Sequence, residues 1–427
     1  MHTMAVRYQA LRGTRDILPD EIAAWRFLED TTHEVFARYG FREVRTPIFE
    51  STELFARSVG AATDIVRKEM YTFKAGDESV TLRPENTAPV VRAFVEHALH
   101  RTIAAGFPER LYYLGPMFRY ERPQKGRQRQ FHQIGAELLG AAEPLADAET
   151  IEMAWSLLSA LGIEDRELRL NTVGDATCRP RYRKALTEWL TPRLPVMCED
   201  CRRRAIENPL RVFDCKIEAD RRLLEDAPGM AESLCAPCAE HFDAVRSTLD
   251  RFSIAYVVDP KLVRGLDYYQ RTVFEIVAAG LGAQNALLGG GRYDGLVDEL
   301  GGPAIPGFGF AAGMERLVLV MRGTLGSASS DLLLVGLGEI GFLASIALAR
   351  RLRGKGLRVA MPLTERPLGA QMKRAERLGA RFALFVGEAE LARGRFGLKN
   401  LTTGDQIEVD EAGIEVAVRA ERNDHGR

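Results

Sequence analysis

Two extended segments, "RLYYLGPMFRYE" (Arg110–Glu121) and "RQFHQIGAELLG" (Arg129–Gly140), stand either side of the polar stretch "RPQKGRQ". Runs of this length, joined through a proline and a glycine, pair as an antiparallel hairpin, and a lone hairpin is not stable in water. The chain therefore has to build a sheet around this pair. The hairpin tip concentrates Arg119, Arg122, Lys125, Arg127 and Arg129 around a single acid, Glu121. The whole chain has a formal net charge of −1. That cluster is thus a local device and not a general affinity for polyanions.

A length of 427 residues predicts two or three domains, and 46% hydrophobic residues supply a core of ordinary size. Apolar runs such as "LVLVM" at Leu317–Met321 are too short to span a bilayer, so no membrane association is expected. The opening residues show no apolar stretch of the signal-peptide kind, and a cytoplasmic location is expected. The six cysteines are then read as thiols or metal ligands, not disulfides. A helix is predicted from Pro19 to Gly40, then a strand in "FREVRTPIFE" that stops at Pro47. "SVTLRPENTAPVVRAFVEHAL" reads as a strand running into a helix. "PLADAETIEMAWSLLSALG" reads as a helix and "ELRLNTVGD" as a strand. "FEIVAAG" and "NALLGGGRYDGL" read as strands, and "PGFGFAAGMERLVLVM" as a strand turning into a helix at Gly313–Met314. A charged, helical, cysteine-bearing insertion occupies about residues 176–254. The Gly/Ser stretch at 324–330 is a linker. Alternating strands and helices follow in a small α/β domain, 331–427, with a loose tail after Ala420.

The phosphate-binding GxxxxGK[ST] loop is absent. "GLGEIG" (Gly336–Gly341) matches GxGxxG, but the next strand ends without the acidic residue a dinucleotide ribose requires. It is read as a tight strand-to-helix turn. The arginines are more informative, because guanidinium forks on rigid strands bind phosphate bidentately. Gln133 and Glu137 lie four residues apart and share one face of a strand. Gly135 between them leaves room for a ligand or backbone to approach. His132 is read as a strand residue, not a base, and no Ser/His/Asp or Cys/His set is evident.

These residues resemble motif 2 of the class II aminoacyl-tRNA synthetases, in the form found in the histidyl-tRNA synthetase family. "LVRGLDYY" (Leu262–Tyr269) and "GGGRYDGL" (Gly289–Leu296) resemble that family's two histidine signatures. "GFREVRTPIFE", "TLRPENTAP" and "GFGFAAGMERL" resemble motif 1, the substrate loop and motif 3. The resemblance covers nearly the whole chain, in order. It implies an α+β catalytic domain, residues 1–323, on a mostly antiparallel sheet flanked by helices. A helical insertion and a C-terminal α/β anticodon-binding domain would complete the chain. It further implies histidine–tRNA ligation with ATP and Mg²⁺, a tRNA(His) partner and a homodimer formed through motif 1.

Residue by residue, the resemblance assigns Arg119 to the α-phosphate of ATP, Glu121 to the adenine, Arg127 to the phosphates and Arg316 to the γ-phosphate. Arg264 becomes the cation at the reacting carboxylate. Glu85, Thr87 and Gln133 hold the amino and carboxylate ends of L-histidine, while Glu137 and Tyr269, with Tyr268 close by, read the imidazole. Arg129 and Tyr293 are expected to line the site. Asn86 and Pro89 depart from the family's pattern and put the shape of the histidine loop in question.

Cys198-x-x-Cys201 and Cys235-x-x-Cys238 match a recurrent zinc spacing, which predicts one structural Zn²⁺ on these four thiolates, with Cys215 left over. Buried free cysteines are the alternative. Asp331–Asn400 carries thirteen Lys/Arg against six Asp/Glu, which suits contacts to a folded RNA. A regulatory paralogue that binds histidine without catalysis is the main rival, and a dinucleotide oxidoreductase built on "GLGEIG" is the second.

Overall fold

The computed structural model describes residues 8–424, apart from 61, 62, 102, 104, 105, 125, 267, 279–284 and 322–329. Lys125 at the hairpin tip and nearly all of the predicted linker lie outside the described residues. Contacts divide the chain into a large unit, up to residue 323, and a small one from 324 on that also takes in residues 17–23.

The first helix is α1 (Pro19–Arg38), where a proline and two acids occupy the first turn. Its buried Trp25, Leu28, Thr32, Val35 and Phe36 recur at helical spacing. The predicted motif 1 strand is split: β1 (Arg42–Glu43) precedes Pro47 and β2 (Phe49–Ser51) follows it in another sheet. After α2 (Thr52–Ser58) come β3 (Tyr71–Ala75) and β4 (Glu78–Leu82), which with β2 make a three-stranded sheet. Helix α3 (Thr87–Glu96) follows at once. Pro89 is its third residue, where the missing N–H would have had no intrahelical partner.

The hairpin strands are β5 (Glu109–Phe118) and β6 (Gln130–Leu139). Arg119 lies one residue beyond β5, not within it, though its N–H still donates to Arg129 O at 2.8 Å. Helix α4 (Pro144–Ala160) and strand β7 (Arg166–Thr172) lead into the insertion, α5 (Arg179–Leu190), α6 (Glu199–Glu207), α7 (Glu218–Leu223) and α8 (Ala236–Arg251). The chain returns through β8 (Tyr256–Val258), β9 (Gln270–Ala278), β10 (Ala286–Arg292), α9 (Leu296–Glu299), β11 (Gly307–Gly313) and α10 (Met314–Val320). The large sheet has the order β1-β5-β6-β11-β10-β9-β7-β8. Only the outer pairs β1–β5 and β7–β8 are parallel. This is the α+β architecture the sequence predicts.

The small unit holds a five-stranded mixed sheet. It comprises β12 (Leu332–Gly336), α11 (Gly338–Gly354), β13 (Val359–Ala360), α12 (Leu368–Arg377), β14 (Phe382–Val386), α13 (Glu388–Arg393), β15 (Phe396–Asn400), β16 (Gln406–Val409) and α14 (Glu411–Asp424). Helix α14 runs past Ala420 to Asp424, so residues 421–424 are helical and not the loose tail expected. "GLGEIG" is a strand-to-helix turn, as read: a Cβ on Gly341 would stand 2.1 Å from Val386 O. Among the described residues no helix is long and apolar enough to cross a membrane.

One buried ionic group joins the sheet to two helices. Arg292 on β10 and Asp147 on α4 are both fully buried and directly paired. Asp147 also meets His241 Nε2 on α8 at 2.8 Å, and Arg292 reaches Ala141 O at 3.0 Å and Asp294 at 2.9 Å. Removing one partner of such a group leaves a buried charge uncompensated. We expect Arg292→Met to lower unfolding stability by about 3–5 kcal/mol in denaturant titration. A loss below about 1 kcal/mol would show that the group is dispensable.

Candidate active site

A cavity of ≈ 240 Å³ opens over the middle of the large sheet. Its floor is set by strand register. Tyr113, Gly135, Ala311, Gly289 and Glu275 occupy directly paired positions on β5, β6, β11, β10 and β9. Paired residues in a sheet point to the same face, so this row puts two glycines and an alanine between two large side chains. The depth is then used by neighbours. A Cβ on Gly135 would lie 2.2 Å from the Tyr113 ring, and one on Gly289 would lie 2.6 Å from the Arg264 guanidinium. The room at Gly135 therefore serves a tyrosine side chain, not a ligand or a backbone.

The structure brings most of the predicted residues into one lining: Glu85, Thr87, Arg119, Glu121, Arg127, Gln133, Arg264, Tyr268, Tyr269 and Arg316. Arg264 lies across Gly289 and donates from Nη1 to Glu275 at 2.6 Å. Arg119 stacks on Phe131, 5.3 Å from its centroid, and donates from Nε to Pro84 O at 2.8 Å. Arg316, in the first turn of α10, donates to Ala286 O at 2.7 Å. Arg127 is paired with Glu121 across the hairpin tip. Burial lowers the Arg316 guanidinium's hold on its proton, and Arg119 and Arg264 push it the same way. Arg127 is lowered by burial and then by Arg119 and Arg316. These cations are thus close enough to repel one another in a partly dry site.

The polar lining is held from behind. Glu85 accepts from the backbone N–H of Thr87 at 2.7 Å and Ala88 at 3.1 Å, at the start of α3. Burial still raises its carboxyl above the usual range. Thr87 donates its hydroxyl to Glu137 at 2.7 Å. Tyr113 and Tyr268 place buried hydroxyls close to Thr87 without a hydrogen bond of acceptable geometry, and Gln133 Oε1 is likewise buried without a partner. All three residues line the cavity. Buried polar atoms left unpaired next to a cavity are what a polar ligand would satisfy.

Three of the expected residues stand away from the cavity surface. Glu137 does not line the cavity: it is fully buried one layer behind, bound to Thr87 and Tyr293. Tyr293 is engaged there and is not a lining residue. Arg129 is outside as well, stacked 4.0 Å over Tyr120. Asn86 has an ordinary backbone, φ −126°, and ties the motif 1 segment to the loop. Its Oδ1 accepts from Thr46 at 2.6 Å and from Arg83 at 3.2 Å. Sequence reasoning missed Tyr113 and Glu275. Pairing Phe118 with Gln130 at the tip places Tyr113 opposite Gly135, so a hairpin register would have found the first.

The predicted four-cysteine zinc site is not assembled. Cys198 and Cys201 gather with Cys215 and Asp220, whereas Cys235 and Cys238 gather with Cys178 and Asp175. Each pair opens a different helix, α6 or α8.

Comparison with known proteins follows the same lines. A family model described as histidyl-tRNA synthetase matches residues 13–317, and one described as anticodon binding domain matches residues 342–421. The histidine–tRNA ligase of Syntrophotalea carbinolica is 50% identical over 411 residues, covering 96% of this chain and 97% of that protein. That of Moorella thermoacetica is 50% identical over 408 residues, covering 94% and 96%. The crystal structure of apo Staphylococcus aureus histidyl-tRNA synthetase superposes with a TM-score of 0.79 at 36% identity, over 97% of this chain and 99% of that one.

Burial raises the Glu137 carboxyl from 4.5 to about 8. The folded protein therefore keeps a proton that the unfolded chain releases. The sign follows: stability present below about pH 4.5 is lost as pH rises to about 8. Glu137→Gln, which mimics the protonated acid, should flatten the decline of unfolding stability between about pH 5 and pH 8. A variant whose pH profile overlays that of the parent would place the proton elsewhere.

Proposed function

The chain belongs to the histidyl-tRNA synthetase family, and from that premise we propose how its residues divide the work. It is an aminoacyl-tRNA ligase that joins L-histidine to ATP, releasing pyrophosphate, and passes histidine from the adenylate to the 3′ end of its tRNA. In the first step a carboxylate oxygen attacks the α-phosphorus and the bond to the pyrophosphate oxygen breaks. Both reactants are anions, so the barrier is largely electrostatic.

We assign Arg119 and Arg264 to the reacting carboxylate and α-phosphate, and Arg127 and Arg316 to the outer phosphates. The observation that carries this is one cavity lined by four guanidinium groups, two of them lowered by burial and further by their neighbours' charge. A polyanion relieves that repulsion and gains preorganised donors. Glu121 is released from Arg127 when phosphate takes its place, and is then available to the adenine. Mg²⁺ enters as part of the nucleotide and neutralises the outer phosphates. No enzyme nucleophile or general base is needed for the first step.

Glu85, Thr87 and Gln133 hold the amino-acid ends. Thr87 donates to Glu137, so its oxygen lone pairs are left to accept from an α-ammonium. Tyr268 and Tyr269 read the imidazole, and Glu137 acts through Thr87 and Tyr293 as a positioning residue. A homodimer is supported by Ile48, Phe49 and Phe73, which are 44–55% exposed on and beside the three-stranded sheet. The C-terminal domain takes tRNA(His) through its excess of basic residues, and a cytoplasmic location accords with that partner.

Histidine-dependent ATP–pyrophosphate exchange tests the assignment. Arg264→Ala should lower the exchange rate by about 10²–10³-fold. Gly289→Ala should also lower it, because a Cβ would displace Arg264, while leaving the folded content measured by circular dichroism unchanged. Unimpaired exchange in Arg264→Ala would remove that residue from the chemistry. No exchange in the unaltered enzyme would overturn the whole reading.

A further inference from the structure

We propose that the insertion contains two structural zinc sites, each made of three thiolates and one carboxylate. The first is formed by Asp175, Cys178, Cys235 and Cys238, the second by Cys198, Cys201, Cys215 and Asp220. Within each set the four ligand atoms lie within 4.8 Å of one another. A tetrahedral zinc with bonds near 2.3 Å to sulfur separates its sulfurs by about 3.8 Å. The observed spacings bracket that value. Cys178 Sγ stands 3.2 Å from Cys235 Sγ, and Cys235 Sγ stands 4.0 Å from the Asp175 carboxylate. Cys198 Sγ is 3.9 Å from Cys215 Sγ, which is 3.3 Å from Asp220 Oδ2.

Disulfides do not explain either set. All six cysteines are free, and three thiols in one cluster leave an odd one in any pairing. Nor does a carboxylate belong at the centre of a cluster of neutral thiols. Asp220 is 2% exposed, and its Oδ2 meets the Cys215 thiol and the Cys198 N–H. A divalent cation gives the buried carboxylate a counter-charge. Three soft thiolates select zinc over the hard cations that prefer oxygen.

The placement explains the need. The insertion core has eleven buried residues, two of them Cys201 and Cys215. A core of that size is small for a segment of this length, and small folds are commonly held by metal. The second site clips the start of α6 to Cys215, just before α7, and to Asp220 within α7. The first clips the insertion's entry, at Asp175 and Cys178, to the start of α8, the insertion's last helix. The next residue, Arg179, donates to the carbonyl of Tyr269 in the cavity wall. Metal at the root of the insertion therefore braces a wall of the site.

The test is metal analysis of the full chain purified without chelator. About two zinc ions per chain are expected, and about one in each of C201S and C238S. A content of about one or less in the parent, or single variants that keep both ions, overturns the proposal. Should the variants fail to fold, cobalt(II) added to chelator-stripped parent protein decides. Visible bands of tetrahedral thiolate-bound cobalt, displaced by zinc, support the sites, and their absence overturns them.

Discussion

The depth of the cavity depends on five residues in register. Across β5, β6, β11, β10 and β9 the sequence must place large, glycine, alanine, glycine, large at directly paired positions. A methyl on either glycine would fill space already taken by Tyr113 or Arg264. The cations cannot be brought close by attraction, because they repel. Fixed partners on and beside the sheet hold them instead: Pro84 O for Arg119, Ala286 O for Arg316 and Glu275 for Arg264. Preorganisation of this kind puts the reorganisation energy into folding, so little remains at the moment of reaction.

Much of this was legible because it is local. Hairpin, strand-to-helix turn and helix start announce themselves by periodicity and by Pro and Gly, and the elements from Pro19 to Gly40 and from Arg110 to Gly140 lie where they are read. The lining residues were legible through resemblance and not through periodicity. What escaped depends on pairing between strands. Nothing in "QIGAE" says that the space at Gly135 belongs to Tyr113, twenty-two positions earlier. Asn86 was read as a departure from the family's pattern, and it is a buried hydrogen-bond junction between Thr46 and Arg83. The β15 strand went unread because Gly397 and Lys399 interrupt its apolar pattern, although Phe396 and Leu398 face the core.

A layer behind the lining gives it direction. Glu137 is close to a Cβ position at Gly309, its direct strand partner, so it too occupies space that a glycine leaves. Holding Thr87 and Tyr293 together, it turns the Thr87 O–H back towards itself and leaves that oxygen's lone pairs to the cavity. Its raised affinity for a proton means that the group is largely neutral near neutral pH before ligand arrives. A neutral acid at that depth adds no negative charge to a site built to receive anions.

The cysteines show the same lesson at longer range. Spacing alone pairs Cys198 and Cys201 with Cys235 and Cys238, since two C-x-x-C motifs in one segment suggest one metal. Helix packing separates them. Each motif lies at the start of its own helix, and its partners are fixed by what that helix touches: Cys215 and Asp220 near α6, Asp175 and Cys178 near α8. Neither carboxylate could be singled out from sequence, because Asp is common in charged helical segments. Only when the sulfurs converge on Asp175 and Asp220 does each carboxylate acquire a chemical reason to be there. The insertion is then two clips on a thin core, one of them at the root that adjoins the Tyr269 wall.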